Sequence, residues 1–191
     1  MNGASTGLMQ AQELVDALDS DSSLFVLDVR EPDEWLDWKI PGAVNIPLGQ
    51  LPSRLGEVPE SAHVVVVCAK GSRADEGAKV LAAQGRASRV LAGGMGSWAS
   101  TYDYVEGDFA GAVVVQLRRR GKGCLSYVIG AGERCVVIDP SLDLSHYLDV
   151  ATSHNWRITD VLDTHLHADH LSGARALVEA TGATLRLSAA D

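Results

Sequence analysis

A chain of 191 residues exceeds one full domain of about 100 to 150 residues without reaching two, so an unequal split is expected. Hydrophobic residues at 46% and charged residues at 21% describe a soluble globular protein, and a net charge of -9 repels nucleic-acid phosphates and anionic membrane surfaces, so neither is expected as a partner. Three cysteines with no C-x-x-C pair, an opening stretch Met1 to Gln10 without the apolar run of about 7 to 15 residues of a signal peptide, and no run of about 18 apolar residues point to the reducing cytoplasm.

Ala11 to Leu18 has the apolar spacing of a short amphipathic helix, and Leu24 to Val29 reads as a buried strand. A loop with Pro32, Pro41, Gly42 and Pro47 follows. His63 to Cys68 is a β-branched run without alternation, as in a parallel strand covered on both faces. Ala74 to Gln84 is helical in pattern, and Arg89-Val90-Leu91 is a short strand ending at Gly93-Gly94. The alternation predicts an α/β domain around a parallel sheet flanked by helices over residues 1–104, with a linker at 105–111. From residue 112, Val113 to Leu117, Leu125 to Ile129 and Cys135 to Asp139 read as strands joined by glycine-containing hairpins. Leu144 to Asn155 is helical, Ile158 to Leu162 a strand, Leu171 to Thr181 a helix and Ala183 to Leu187 a last strand. The basic cluster Arg118-Arg119-Arg120 with Lys122 is expected as a solvated hairpin, not a binding patch.

Cys68 ends the buried strand, and Ala69, Lys70, Gly71, Ser72 and Arg73 connect it directly to a helix. In that geometry the N–H groups of the turn and the helix N-terminus form a nest that favours a thiolate or persulfide, with Lys70 and Arg73 adding positive charge at the rim. A small buried residue closing a strand is the alternative; the coincidence of glycine, two cations and a helix start favours a nucleophile.

Leu27-Asp28-Val29-Arg30-Glu31-Pro32, Ile40-Pro41-Gly42-Ala43-Val44-Asn45-Ile46-Pro47, the Cys68 to Arg73 loop and Gly93-Gly94-Met95-Gly96-Ser97-Trp98 together resemble the single-domain rhodaneses over roughly residues 8–104. The resemblance implies a ping-pong sulfurtransferase in which Cys68 accepts a sulfane sulfur from a small-molecule donor and passes it to a thiol or other acceptor, without a cofactor. Asp28 and Arg30 then read as bracing the loop from the neighbouring strand end, with ordinary salt bridging in a loop as the alternative. Related phosphatases and arsenate reductases place five residues between cysteine and arginine, whereas Cys68 and Arg73 have four between them, which favours sulfur. Trp38-Lys39 stands where the family often has Gly-His, which sets the donor-entry surface apart.

Thr164-His165-Leu166-His167-Ala168-Asp169-His170 concentrates three imidazoles and a carboxylate in a strand-to-helix loop, a donor set suited to zinc or non-haem iron. His63, His146 and His154 have no such company and read as structural or exposed, while Cys124 and Cys135 read as core thiols. With Leu171-Ser172-Gly173, Gly123 to Tyr127 and Val137-Ile138-Asp139-Pro140, the motif resembles the metallo-β-lactamase superfamily, in its persulfide dioxygenase and glyoxalase-II-like branch. In dinuclear members His165 and His167 would serve one metal and Asp169 and His170 the other; in persulfide dioxygenases a single iron takes the counterpart of His165 with a later histidine and aspartate.

Residues 112–191 supply about eighty of the roughly 200 residues of the αββα sandwich, so an incomplete second half is expected, with iron or zinc held weakly or not at all. Its uncovered apolar strand face would be masked by the first domain or by a second copy in a homo-oligomer. The expected function is sulfur transfer through Cys68 in a fusion related to persulfide dioxygenases. The alternatives are a zinc-dependent glyoxalase-II-like hydrolase and a non-enzymatic sulfane-sulfur carrier or sensor.

Overall fold

The computed structural model describes residues 6–166 and 171–187. The first unit takes in Met1–Thr101 with Arg120–Lys122, and the second Tyr102–Arg119 with Gly123–Asp191.

In the first unit, strand β1 (Thr6–Met9) leads to helix α1 (Ala11–Ser20) and β2 (Leu24–Asp28). The segment expected as a loop instead begins with a helix, α2 (Pro32–Asp37), started by proline and by reciprocal capping between Glu31 and Glu34. Then come β3 (Val44–Asn45), α3 (Leu51–Arg54), a 3-10 turn (Leu55–Glu57), β4 (His63–Val67), α4 (Ser72–Ala83), β5 (Ser88–Leu91) and α5 (Gly94–Ala99). The five strands form an all-parallel sheet in the order β1-β5-β4-β2-β3.

The valine run of β4 shows why it forms a central strand. Val64 and Val66, with Cys68 just beyond them, pack with Ala74, Ala78 and Leu81 of α4, while Val65 and Val67 pack with Leu14 and Val15 of α1 and Met95 and Trp98 of α5. Successive side chains from Val64 to Val67 thus enter two cores, which excludes polar residues there, while His63 at the strand's start is exposed.

The second unit begins with β6 (Tyr102–Phe109), so residues 105–109 of the expected linker are strand. Eight register pairs from Tyr102↔Arg119 to Phe109↔Ala112 bind β6 to β7 (Ala112–Arg119). After β8 (Cys124–Ala131) and β9 (Arg134–Ile138), α6 (Ser145–Ser153) crosses to β10 (Arg157–Leu162), and α7 (Ala174–Thr181) to β11 (Thr184–Arg186). The sheet order is β11-β10-β9-β8-β7-β6, antiparallel from β6 to β9 and parallel from β9 to β11.

One face of this sheet is core: Val115, Leu117, Val128, Cys135, Val137 and Val161 meet Tyr147 and Val150 of α6 and Leu177 of α7. On the other face Val114, Ile129 and Val136 align in register and are half-buried. Burial pushes the Cys135 thiol up to about 11, as a core thiol requires. Arg118 of the basic cluster is paired with Asp103 at 2.5 Å. Each histidine read as solitary has an acidic neighbour: Asp21 for His63, Asp143 for His146 and Glu106 for His154. Among the described residues, no helix is long and apolar enough to cross a membrane.

Tyr147 is fully buried, and its hydroxyl accepts the Ser141 N–H at 2.8 Å while bonding the Ser126 hydroxyl at 2.9 Å. Tyr147→Phe keeps the ring but strands these groups, so urea denaturation should show a loss of about 1–3 kcal/mol. An unchanged midpoint would mean that the network contributes nothing net.

Candidate active site

Cys68 follows the last residue of β4 and is 1% exposed. The chain turns at Gly71, whose φ of +113° suits a residue without a side chain, and enters α4 at Ser72. The Gly71 N–H points back at the Cys68 sulfur, with N and Sγ 3.1 Å apart. The first N–H groups of α4 have no intrahelical acceptor, so the positive end of the helix lies along the same loop. Ala69 is half-buried and Lys70 exposed.

A second segment closes on the strand side of this loop. The Met95 N–H donates to the Cys68 carbonyl at 2.9 Å. At Gly94 a β-carbon would stand 2.3 Å from that carbonyl oxygen, and φ is +58°, so the position accepts only glycine. The Gly93-Gly94 pair therefore lets the start of α5 lie against the cysteine backbone.

Asp28 and Arg30 are 0% and 4% exposed and form a two-pronged ion pair, Nε to Oδ1 at 3.0 Å and Nη2 to Oδ2 at 2.7 Å. The rest of the Arg30 guanidinium donates to the Glu34 carbonyl at 3.0 Å and the Trp38 carbonyl at 2.6 Å, fixing α2. Glu34 in turn accepts both Arg73 nitrogens, at 2.6 and 2.8 Å. Asp28 and Arg30 thus connect to the loop through α2, whose Glu34 pairs with Arg73. Arg73 was expected as a rim cation, but the structure pairs it with Glu34. Lys39 places its ammonium 3.8 Å over the Trp35 ring.

In the second unit, His165 lies within the described residues, whereas His167, Asp169 and His170 lie outside them. His165 is exposed, and its Nδ1 is 2.8 Å from the Thr164 hydroxyl. Asp139 follows β9 with φ of +52°, a strained value for a residue with a side chain. Its carboxylate accepts the Thr164 N–H at 2.7 Å and the Thr164 hydroxyl at 2.8 Å. Ser172, beyond the loop, donates to Asp163, and the Gly173 N–H donates to the Pro140 carbonyl at 2.7 Å. Both described ends of the histidine loop are therefore anchored at the ends of β9 and β10. Among the described residues, no three His, Cys, Asp or Glu side chains gather as a metal site.

Sequence reading did not single out Glu34, Gly94 or Asp139 for these roles. The capping pattern between Glu31 and Glu34 and the Gly93-Gly94 pair were visible signals; the long-range partners Arg73 and Thr164 were not.

Residues 10–101 match the Rhodanese-like domain family, and residues 119–191 the Metallo-beta-lactamase superfamily. A putative sulfur carrier protein of Bacillus subtilis (strain 168) is 36% identical over 84 residues, 44% of this chain and 45% of that protein. A putative sulfurtransferase of the same organism is 32% identical over 85 residues, 44% of this chain and 82% of that protein. A hydroxyacylglutathione hydrolase of Cereibacter sphaeroides is 43% identical over 61 residues, 32% of this chain; the chain spans 23% of its length.

Two charge-assisted bonds from Arg73 hold the Glu34 carboxyl at about 2, below its ordinary 4.5. A depressed carboxyl releases its proton more readily in the folded state, so its contribution to stability is complete above 4.5 and fades as pH falls toward about 2. The stability difference between wild type and Glu34→Gln should be constant above about pH 5 and shrink below it. A difference independent of pH would show that the pair adds no electrostatic stability.

Proposed function

The chain belongs, through residues 10–101, to the rhodanese-like family, and from that premise we propose that it transfers sulfane sulfur by a covalent mechanism on Cys68. The observation that carries this reading is the Gly71 N–H aimed at the Cys68 sulfur at the head of α4. In the first half-reaction the Cys68 thiolate attacks the outer sulfur of a donor, the donor S–S bond breaks, and the leaving group departs with the electron pair. The Cys68 persulfide carries one negative charge on its terminal sulfur, which the turn N–H groups and the start of α4 stabilise. In the second half-reaction an acceptor nucleophile takes the terminal sulfur, and Cys68 leaves as the thiolate.

The likeness to a putative sulfur carrier protein supports a second reading, in which the loaded persulfide is the product delivered to a partner. Multiple turnover with a small thiol separates the two, since a dedicated carrier loads once and unloads only to its partner.

The second unit supports a place in sulfide or persulfide metabolism beside a metal-dependent partner activity, in which His165, His167, Asp169 and His170 would contribute to holding iron or zinc. A zinc-dependent thioester hydrolase is the alternative, supported by the likeness to a hydroxyacylglutathione hydrolase. Of these four residues only His165 is among the described ones.

After treatment with a sulfane donor, mass spectrometry should find one added sulfur on the Cys68 peptide, and Cys68→Ser should abolish transfer to cyanide or a thiol while leaving the fold intact. Sulfur added only at Cys124 or Cys135, or full turnover by Cys68→Ser, would exclude covalent catalysis at this residue.

A further inference from the structure

The active-site loop carries two cations in sequence, Lys70 and Arg73, yet the structure treats them differently. Arg73 gives two nitrogens to the two oxygens of Glu34, at 2.6 and 2.8 Å, with both side chains about one third exposed at 32% and 34%. The Glu34 carboxylate also accepts the Glu31 N–H at 3.1 Å, which fixes it at the first turn of α2. Arg73 is therefore held by an ionised carboxylate belonging to a different element, and the pair carries no net charge. Lys70 is exposed and makes no ion pair among the described residues. The buried Asp28–Arg30 pair is likewise neutral as a unit.

We propose that Glu34 is a specificity-determining residue: by taking up the Arg73 guanidinium it leaves Lys70 as the loop's one uncompensated cation and tunes the site toward sulfane donors of low negative charge rather than dianions. The inference rests on the sulfur-transfer reading of Cys68 and adds to it a donor class. The physical basis is Coulomb's law at the mouth of the cradle. Each uncompensated charge acts twice as strongly on a dianion as on a monoanion, so the ratio between two such donors reports the net charge of the mouth. Glu34 is a positioning residue here, acting on the donor through Arg73.

The test compares two donors of nearly the same shape, thiosulfate, a dianion, and methanethiosulfonate, a monoanion. With either, the Cys68 thiolate attacks the outer sulfur and the S–S bond breaks. Sulfite or methanesulfinate leaves with the electron pair, and cyanide then takes the terminal sulfur as thiocyanate. The readout is the ratio of kcat/KM for thiosulfate to that for methanethiosulfonate, so any loss of activity common to both donors cancels.

One unit charge at a separation of about 7 Å in water changes this ratio about threefold. Glu34→Gln should raise it by about that factor, Arg73→Gln should lower it by about that factor, and the double variant should return to the wild-type ratio. Lys70→Gln, which leaves the ion pair intact, should lower the ratio to a similar degree, and the three single-variant shifts should shrink at about 1 M salt. Should Glu34→Gln not fold, Arg73→Gln and Lys70→Gln still decide, because both change the mouth charge in the same direction.

A ratio that stays constant across the folded variants would overturn the inference while leaving sulfur transfer intact. So would a double variant that differs from wild type as much as either single one, since that pattern marks a purely structural role. Failure of Cys68 to load from either donor in the wild-type chain would instead overturn the sulfur-transfer reading.

Discussion

The Asp28–Arg30 ion pair is the point from which the first unit's site is hung. Both side chains are almost fully buried, where two separated charges would each cost several kcal/mol of lost hydration. Every direction is used: Arg30 meets both carboxylate oxygens and then two backbone carbonyls, and the Asn45 side chain donates to the Asp28 and Arg30 carbonyls. Helix α2 has no buried side chain of its own, so this pair, more than packing, fixes where it lies. Glu34 takes its position from α2, and Arg73 takes its position from Glu34.

The second unit repeats the device with other atoms. In both sheets an aspartate closes a parallel strand next to the strand that leads into a candidate site loop: Asp28 beside β4, and Asp139 beside β10. A strand end leaves carbonyl and N–H groups without ladder partners, and a carboxylate there can hold the departing chain. Asp28 does so through an arginine and a helix, whereas Asp139 does so directly on Thr164. The left-handed backbone at Asp139 is the strain accepted for that direct grip.

These differences also mark how much the sequence could tell. The valine run of β4 and the cysteine-to-helix turn were legible because periodicity and glycine placement are local properties, and the alternation of elements gave the parallel sheet. Helix α2 was hidden because Pro-Asp-Glu-Trp-Leu-Asp has no fully buried residue and so no apolar stripe, although proline at its start and the capping pair were readable signals. Strand β6 was hidden because Asp103, Glu106, Gly107 and Asp108 are poor strand formers; its register with β7 overrides them. The Glu34–Arg73 and Asp139–Thr164 contacts join residues 39 and 25 positions apart, and no window of sequence contains both partners.

On the sulfur-transfer reading, the near-complete burial of Cys68 gives exchange at this site a direction. A persulfide on Cys68 would place its outer sulfur about 2 Å beyond Sγ. An incoming thiolate would then meet the outer sulfur, with the buried Cys68, 1% exposed as a residue, behind it. Thiol–persulfide exchange has two regiochemical outcomes, and attack at the inner sulfur would leave the protein as a mixed disulfide. Burial suppresses that branch by shape alone. A persulfide-forming site would thus be guarded against self-capping by the same packing that buries Cys68.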